Sequence, residues 1–178
     1  MFHALIEKRR SIRRFQPKAV EPEKIDLLTE AALRAPSSMG RNPWSFVVIR
    51  KRDLLEALSR AKPHGASFLK NAPLGIVVCA DPTESDVWVE DCSIACTFLF
   101  LAAESLGLGA CWIQIRDRMH DRERSAEGYV REVLGIPEHL KVEAFIAVGY
   151  PAEQKPPHGK EELQEEKVFY EAYGNRNS

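Results

Sequence analysis

The segment Arg9-Arg10-Ser11-Ile12-Arg13-Arg14-Phe15 is the stretch around which the rest of the chain is organised. It places four guanidinium groups and one hydroxyl within six residues, directly after a short apolar helical pattern. Arginine offers planar, paired donors that match phosphate oxygens, and serine adds a hydroxyl donor. The segment therefore predicts a site for a small phosphate-bearing ligand. The alternative is a solvated basic patch at a helix end, where cations suit the negative end of the helix dipole.

A second stretch favours the ligand site: Ala35-Pro36-Ser37-Ser38-Met39-Gly40-Arg41-Asn42-Pro43-Trp44-Ser45-Phe46. It combines hydroxyl and amide side chains with two aromatic residues, and its prolines stiffen it at both ends. A simple connecting loop has no need for aromatic residues beside so many hydrogen-bonding groups. We therefore interpret the stretch as a second part of the same binding site.

Length and composition predict one domain over residues 1–178, large enough to bury a substantial core. A net charge of -1 provides no general attraction for nucleic acid or an anionic membrane. The longest apolar run, 94–103, is shorter than the roughly twenty residues that a membrane span requires. No signal-peptide pattern is visible at the start of the chain. We therefore expect a cytoplasmic protein with neither a nucleic acid nor a membrane as its partner.

The sequence predicts neither a metal site nor a catalytic side chain. The four cysteines lie in apolar segments without zinc-ribbon spacing, so they are expected to be small buried residues. The chain lacks a Ser-His-Asp arrangement and the His-Glu-x-x-His motif. It also lacks Gly-x-Gly-x-x-Gly, which argues against a Rossmann dinucleotide domain.

Hydrophobic periodicity predicts alternating helices and strands. Helices are expected at 2–9, 21–35, 52–61, 87–106, 126–134 and 161–173. Apolar strands are expected at 44–49, 73–80, 110–115 and 142–148. The pattern is typical of an α+β or α/β sandwich with a mixed or mostly antiparallel sheet, and it does not choose between them. The strand at 73–80 is almost wholly apolar, so we expect it to be central and covered on both faces.

The helix at 87–106 is apolar nearly all round between Ile94 and Ala103, and such a helix has to be buried on every face. One domain of this size does not easily cover all of it. We therefore expect one side of the helix to pack on the sheet and the other on a second subunit. The alternative is a core helix of a monomer. Residues 152–178 change to a polar composition and predict an extended segment ending in a polar helix that lies across the partner subunit.

Five motifs in this order and spacing resemble the nitroreductase family of flavin-dependent oxidoreductases. They are Arg-Arg-Ser-x-Arg-x-Phe, Ala-Pro-Ser-Ser-x(3)-Asn-Pro-Trp-x-Phe, Leu-Ala-Ala-x(3)-Leu-Gly-Leu-Gly-x-Cys-Trp-Ile at 101–113, Leu-Gly-Ile-Pro-Glu at 134–138 and Val-Gly-Tyr-Pro-Ala-Glu at 148–153. Each motif alone is weak, but the set covers most of the chain. The closing stretch 166–174 is also similar to the tails of short, uncharacterised members.

The resemblance implies an α+β fold of three layers, with a mixed, mostly antiparallel sheet flanked by helices. It also implies a homodimer with FMN bound at the subunit interface. NADH or NADPH would pass a hydride to the flavin, and a nitroaromatic, quinone or similar small acceptor would then be reduced in a ping-pong reaction. In such chemistry the cofactor reacts and the protein supplies orientation and electrostatics, so no catalytic side chain is needed.

The resemblance also implies the cofactor contacts. One subunit would supply Arg9, Arg10, Ser11, Arg13, Ile113, Gln114, Gly149 and Lys155. The other would supply Pro36, Ser37, Ser38 and Asn42. The first three residues would hold the phosphate and ribityl chain, with Gly149 and Lys155 as late phosphate contacts. Arg13 would face the pyrimidine edge, where a cation stabilises the negative charge of the reduced flavin. A backbone N–H of 113–115 would face flavin N5.

The chain departs from the family pattern in three places. Gly40 replaces an asparagine, Asn42 replaces a glutamine, and Pro156-Pro157-His158 replaces a late arginine. Two alternative functions stay open. The first is a flavin protein of the same fold with other chemistry, such as dehalogenation, dehydrogenation or flavin fragmentation. The second is a non-enzymatic protein whose basic start binds an acidic partner or nucleic acid.

One further basic group has two interpretations. Its members are Arg116, Arg118, Arg122 and Arg124, which follow the third strand. They are either a pocket for the 2′-phosphate of NADPH or a solvated loop.

Overall fold

A computed structural model describes residues 2–176 and contains one four-stranded sheet. The strands are Trp44–Ile49 (β1), Leu74–Ala80 (β2), Gly109–Gln114 (β3) and Lys141–Gly149 (β4), in the order β1-β2-β4-β3. All neighbouring strands in this sheet are antiparallel. A single-residue parallel bridge joins Ser11 to Ala110 of β3. The four predicted strands are confirmed, with bounds that shift by no more than about a residue.

Five α-helices flank the sheet in the described chain. They are Phe2–Lys8 (α1), Pro22–Leu33 (α2), Arg52–Leu58 (α3), Trp88–Ser105 (α4) and Ala126–Leu134 (α5). Helices α2 and α4 form the core on one face of the sheet. Helices α3 and α5 and the 3-10 helix Ser67–Asn71 form the core on the other face. This is the predicted three-layer α+β sandwich.

Strand β2 lies inside the sheet, and all of its residues are buried. Alternate side chains point to opposite faces, so Ile76 and Val78 join the α4 core while Val77 and Cys79 join the α3 core. This double burial explains the continuous apolar run and confirms the predicted central strand.

Helix α4 packs one side against the sheet through Cys92, Cys96 and Leu99, which are fully buried. On its outer side Ile94 is 38% exposed and Phe98 is 36% exposed. Residues four apart share one face of a helix, so these two side chains form one apolar strip. The prediction of burial on every face is therefore not met within a single chain. The second subunit invoked to cover this strip stays a prediction.

The predicted polar helix over 161–173 is wrong. The chain instead forms two short 3-10 turns, Lys160–Glu162 and Glu165–Lys167, joined by extended residues. An isolated helix of this length is marginal in water unless an apolar face packs on something. Here Val168 and Tyr173 are exposed, so the part of the chain that the structure describes does not supply that packing. The predicted contact of this segment with a partner stays a prediction.

Within residues 2–176, no helix combines the length and the apolar character needed to cross a membrane.

Candidate functional site

The basic segment, Arg9–Phe15, runs along the free edge of β3 and then past the end of β4. The Ile12 amide donates to the Ala110 carbonyl at 3.0 Å, and the Gln16 amide donates to the Tyr150 carbonyl at 2.8 Å. Ile12 and Phe15 are buried, whereas Arg13 is exposed. The two apolar residues of the motif therefore anchor the segment, and its cations face outward.

The anchored segment brings Arg10 to one cleft of about 380 Å³ together with Lys155, and Ser11 is bonded to Lys155 through its backbone. The Lys155 ammonium donates to the Ser11 carbonyl, and the Arg10 guanidinium donates to the Pro156 carbonyl. Lys8 also lines the cleft. These residues are about 145 positions apart in sequence, so only the fold brings them together. The resulting set of cations and backbone groups is suited to bind a phosphate.

Glu153, which sequence reasoning left without a role, organises the motif. Its Oε1 accepts from the Arg13 amide at 2.6 Å and from the Arg14 amide at 3.1 Å. The Lys155 ammonium lies 3.6 Å from the same oxygen. Burial alone raises the pKa of Glu153, but the two amide donors and Lys155 outweigh it, and the net pKa is lowered. The sequence signal for this role was the final residue of the Val-Gly-Tyr-Pro-Ala-Glu motif, which is Glu153.

Arg13 lies over the ring of Phe68, with its guanidinium carbon 5.9 Å from the ring centre. The Arg13 amide and the Lys155 ammonium both approach the same carboxylate oxygen, Oε1 of Glu153. The Arg13 site and the Lys155 cleft are therefore neighbours. Arg9 turns the other way and lies 5.8 Å from the ring centre of Phe100 on α4.

The backbone amides of Ile113 and Gln114 point to opposite sides of β3. The Ile115 amide donates to the Glu143 carbonyl of β4. Amide directions alternate along an antiparallel strand, so the Ile113 amide also points to β4 and the Gln114 amide points outward. The Ile113 side chain is buried. Gln114 is thus better placed than Ile113 to offer a backbone donor at the outer edge. Its side-chain oxygen accepts from the Trp112 indole at 2.9 Å.

Gly149 ends β4 beneath the anchored segment. A β-carbon placed there would lie 2.5 Å from Pro73 and 3.0 Å from Phe15. The structure therefore gives this glycine a packing role, which the sequence interpretation did not include.

The second motif forms a compact loop. The Ser37 hydroxyl donates to the Asn42 side-chain oxygen at 2.7 Å and accepts from the Asn42 amide at 2.9 Å. The Ser38 amide donates to Oδ1 of Asp91, a buried residue of α4 that sequence reasoning missed. Met39, Gly40 and Asn42 all have positive φ angles. Pro36 precedes this loop. Short-range hydrogen bonds and the Asp91 anchor thus hold a backbone that would otherwise be unfavourable.

The two motifs lie at opposite ends of α4 within one chain. Ser38 is bound to Asp91 in the first turn of the helix, at 2.8 Å. The basic segment meets the last turns, where Arg9 lies over the Phe100 ring and the preceding residue, Lys8, places its ammonium 3.4 Å from a carboxylate oxygen of Glu104. At about 1.5 Å per residue, Asp91 and Glu104 are roughly 20 Å apart along the helix axis. One chain therefore does not bring Ser37, Ser38 and Asn42 to the Arg10–Lys155 cleft.

The arginines after β3 are partly neutralised. Arg116 pairs with Glu143 at 3.1 Å, and burial raises the pKa of that carboxyl. Arg124 pairs with Glu132 and also donates to the Gly128 carbonyl. These two side chains are engaged in the protein, which favours the solvated-loop interpretation for them. No group of three or more potential metal ligands occurs in the part of the chain that the structure describes.

Comparisons with known proteins agree with the motifs. The family model described as the nitroreductase family matches residues 6–64 and 57–150. A solved structure of an FMN-dependent nitroreductase from Clostridium difficile R20291 is 44% identical, with a TM-score of 0.94, and the alignment covers 95% of this chain and 98% of that one. A protein of Methanothermobacter thermautotrophicus, provisionally named as an NADH dehydrogenase/NAD(P)H nitroreductase, is 42% identical over 83% of this chain and 76% of its own.

A more distant relative is named iodotyrosine deiodinase. It comes from Thermotoga neapolitana and is 25% identical, over 92% of this chain and 95% of its own. Similar chains therefore carry names of more than one flavin chemistry. The match to the family model and the two nearer relatives confirm the predicted family and its class, a flavin-dependent oxidoreductase. The chain belongs to the nitroreductase family.

Proposed function

We propose that this protein is an FMN-dependent reductase that takes a hydride from NADH or NADPH and reduces a nitroaromatic, quinone or similar small acceptor. The observation that carries the proposal is the gathering of Arg10 and Lys155 around one cleft, with the Ser11 carbonyl bonded to Lys155 and the Arg13 amide bonded to the Glu153 oxygen that Lys155 also approaches. The names of the nearer relatives support both the cofactor and the donor.

The residues present fit a phosphate-bearing flavin. The carboxylates at the cleft, Glu104 and Glu153, are already engaged by Lys8, Lys155 and the amides of the basic segment. Within residues 2–176, Arg10 and Lys155 are held by carbonyl oxygens and the Glu153 carboxylate, so both remain able to donate to an anion. In this proposal Arg10 and Lys155 bind the phosphate.

When bound, FMN would supply the hydride-transfer chemistry. The chain's own part is to bind, orient and balance charge. The Arg13 guanidinium, positioned by Glu153 and Phe68, stabilises negative charge near the pyrimidine edge. The outward amide of Gln114 offers a donor to the edge of the ring. Neither role requires an acid, a base or a nucleophile.

We propose further that the functional unit is a homodimer. The loop 36–43 and the basic segment lie at opposite ends of α4, and Ile94 and Phe98 leave an apolar strip between them. A two-fold axis across this strip would place the loop of one subunit at the basic segment of the other. Such an arrangement completes the predicted site and covers the strip in one step.

The experiment that tests the function is an absorbance spectrum of the purified protein before and after anaerobic addition of NADH, then of NADPH. We expect a yellow protein that bleaches with at least one of them. Reoxidation by a nitroaromatic or a quinone would then support the proposed acceptor class. Reoxidation by neither, together with release of halide from a halogenated tyrosine, would replace that acceptor with deiodination. A colourless protein that takes up no added FMN would overturn the proposal.

A further inference from the structure

A second cationic cleft of about 430 Å³ lies in the layer formed by α3, α5 and the 3-10 helix Ser67–Asn71. The lining residues that matter for its chemistry are Glu56, Arg60, Lys62, Ser67, Lys70 and His120. We call it the Lys62 cleft. None of these residues belongs to the site described above, and the sequence interpretation assigned none of them to a cofactor.

The charges lining the Lys62 cleft do not cancel. The carboxylate of Glu56 lies 3.3 Å from the Arg60 guanidinium, and both side chains are largely exposed. Lys62 and Lys70 also line the cleft, and within residues 2–176 neither ammonium has a carboxylate at ion-pairing distance. The cleft therefore holds more positive charge than its own carboxylate balances.

Lys62 is held where its charge is unfavourable. Burial, and then the like charge of Arg118, lower the pKa of Lys62. A half-buried ammonium beside a guanidinium costs free energy unless an anion offsets it. No carboxylate in the described chain fills that role, so the arrangement is one that a bound anion would stabilise.

The ring of His120 also lines the Lys62 cleft, and contacts with the protein hold it in place. Its ring stacks on Tyr129 with the ring centres 4.1 Å apart, and Nδ1 lies 3.3 Å from the Ala61 carbonyl. The other ring nitrogen, Nε2, lies 3.9 Å from a carboxylate oxygen of Asp121. The other oxygen of that carboxylate already accepts from the amides of Glu123 and Arg124. The hydroxyl of Ser67 adds a further polar group to the lining.

The Lys62 cleft adjoins the proposed flavin site. Ser67 lines the cleft, and the next residue, Phe68, lies beneath Arg13. An extended ligand could therefore place one end at the flavin and its phosphate groups in the Lys62 cleft.

We infer that the Lys62 cleft binds the phosphate groups of the pyridine nucleotide that reduces the enzyme. This inference rests on the proposed function, since it assigns a place to the donor of that reaction. Pyridine nucleotides carry several negative charges some distance from the nicotinamide, which suits a cationic cleft set beside the flavin. Lys62 and Lys70 are the principal donors, with Arg60 at the rim.

The test uses the FMN-loaded protein and 2′,5′-ADP as the probe, with binding measured by calorimetry. Lys62→Gln and Lys70→Gln are each expected to raise the Kd for 2′,5′-ADP at least about fivefold, as expected for the loss of one charge-assisted contact. The NADPH concentration for half-maximal flavin bleaching should rise by a similar factor. Lys51→Gln, an exposed lysine outside the cleft, is the matched control and should match the wild type.

Three outcomes would overturn the inference. The first is unchanged affinity in both variants. The second is no binding of 2′,5′-ADP to the loaded protein. The third is equal affinity for 2′,5′-ADP and inorganic phosphate, which would make the cleft a general anion site. In each case a yellow protein that still bleaches with NADPH leaves the proposed function intact. A colourless protein, or one that neither NADH nor NADPH bleaches, is a failure of the proposed function itself.

Discussion

Gly109 of β3 and Gly149 of β4 lie opposite each other in the antiparallel register, and the basic segment passes closely over both. A β-carbon on Gly109 would lie 2.7 Å from the β-carbon of Ile12. A β-carbon on Gly149 would lie 3.0 Å from Phe15. The missing side chains of this pair let the two apolar residues of the motif reach the sheet, which in turn fixes the direction of its arginines.

We therefore predict that Gly109→Ala and Gly149→Ala each destabilise the protein by about 1–3 kcal/mol, because the new methyl group overpacks a filled space. Urea unfolding of each variant measures this. Loss of FMN affinity should accompany the loss of stability, since the anchored segment carries the proposed phosphate contacts.

Gly135→Ala is the control for this pair. Gly135 has a positive φ of 66°, but a β-carbon there meets nothing within 4 Å. The Gly135→Ala substitution should lower the free energy of unfolding by only about 1 kcal/mol, through backbone strain, and should leave FMN affinity unchanged. Equal effects on FMN affinity in all three variants would show that the close approach at Gly109 and Gly149 does not position the segment.

Arg13→Ala is predicted to raise the Kd for FMN roughly tenfold or more and to slow flavin reduction, as expected when one charge-assisted hydrogen bond is lost. Fluorescence titration of the apoprotein with FMN gives the first quantity, and anaerobic mixing with the donor gives the second. Arg14→Ala is the matched control, because Arg14 is also exposed and its amide is bound to the same Glu153 oxygen. Unchanged flavin binding and reduction in Arg13→Ala would remove the role proposed for this guanidinium.

Ser38→Trp is predicted to empty the flavin site, because the bulky ring would enter the space that the loop borders. If the loop acts on the partner's site, a mixed dimer carrying Ser38→Trp in one subunit and Arg13→Ala in the other contains one intact site and one doubly altered site. Differently tagged subunits, co-expressed and purified by both tags, should bind one FMN per dimer. Neither homodimer should bind FMN fully.

A mixed dimer that binds no FMN would contradict a site shared between subunits. So would a protein that sediments as a monomer at micromolar concentration while retaining its flavin.

Glu21 provides a prediction on pH. The Tyr150 hydroxyl donates to Glu21 Oε2 at 2.7 Å, and this bond is the largest cause that lowers the pKa of Glu21 from 4.5 to about 2. A lowered pKa contributes stability above the unfolded value, and that contribution is lost as the pH falls through the folded value. The stability difference between wild type and Tyr150→Phe should therefore shrink between about pH 6 and about pH 3.

Urea unfolding at both pH values measures that difference. Glu21→Gln should abolish most of its pH dependence, since the titrating group is then absent. A difference that stays constant with pH would show that Tyr150 acts through its bond to Lys24, at 2.9 Å, and not through Glu21.

Local sequence was sufficient for most of the fold. The apolar runs at Trp44–Ile49 and Leu74–Ala80 have the composition and length of buried strands, and burial alone determines that pattern. The helix Ala126–Leu134 is bounded by a serine cap and a glycine at φ 66°, which are signals readable along the chain. The polar tail was mispredicted because its weak apolar face packs on no surface within residues 2–176.

The sequence by itself determined the strands, the buried helix, the cationic motif and the resemblance to a family, because each depends on residue types at short spacing. Only the tertiary structure decided that Glu153 binds the amides of Arg13 and Arg14, some 140 residues away. It also decided that Ser38 and the basic segment lie at opposite ends of α4. Such relations depend on the path of the chain through space, which hydrophobic periodicity does not encode.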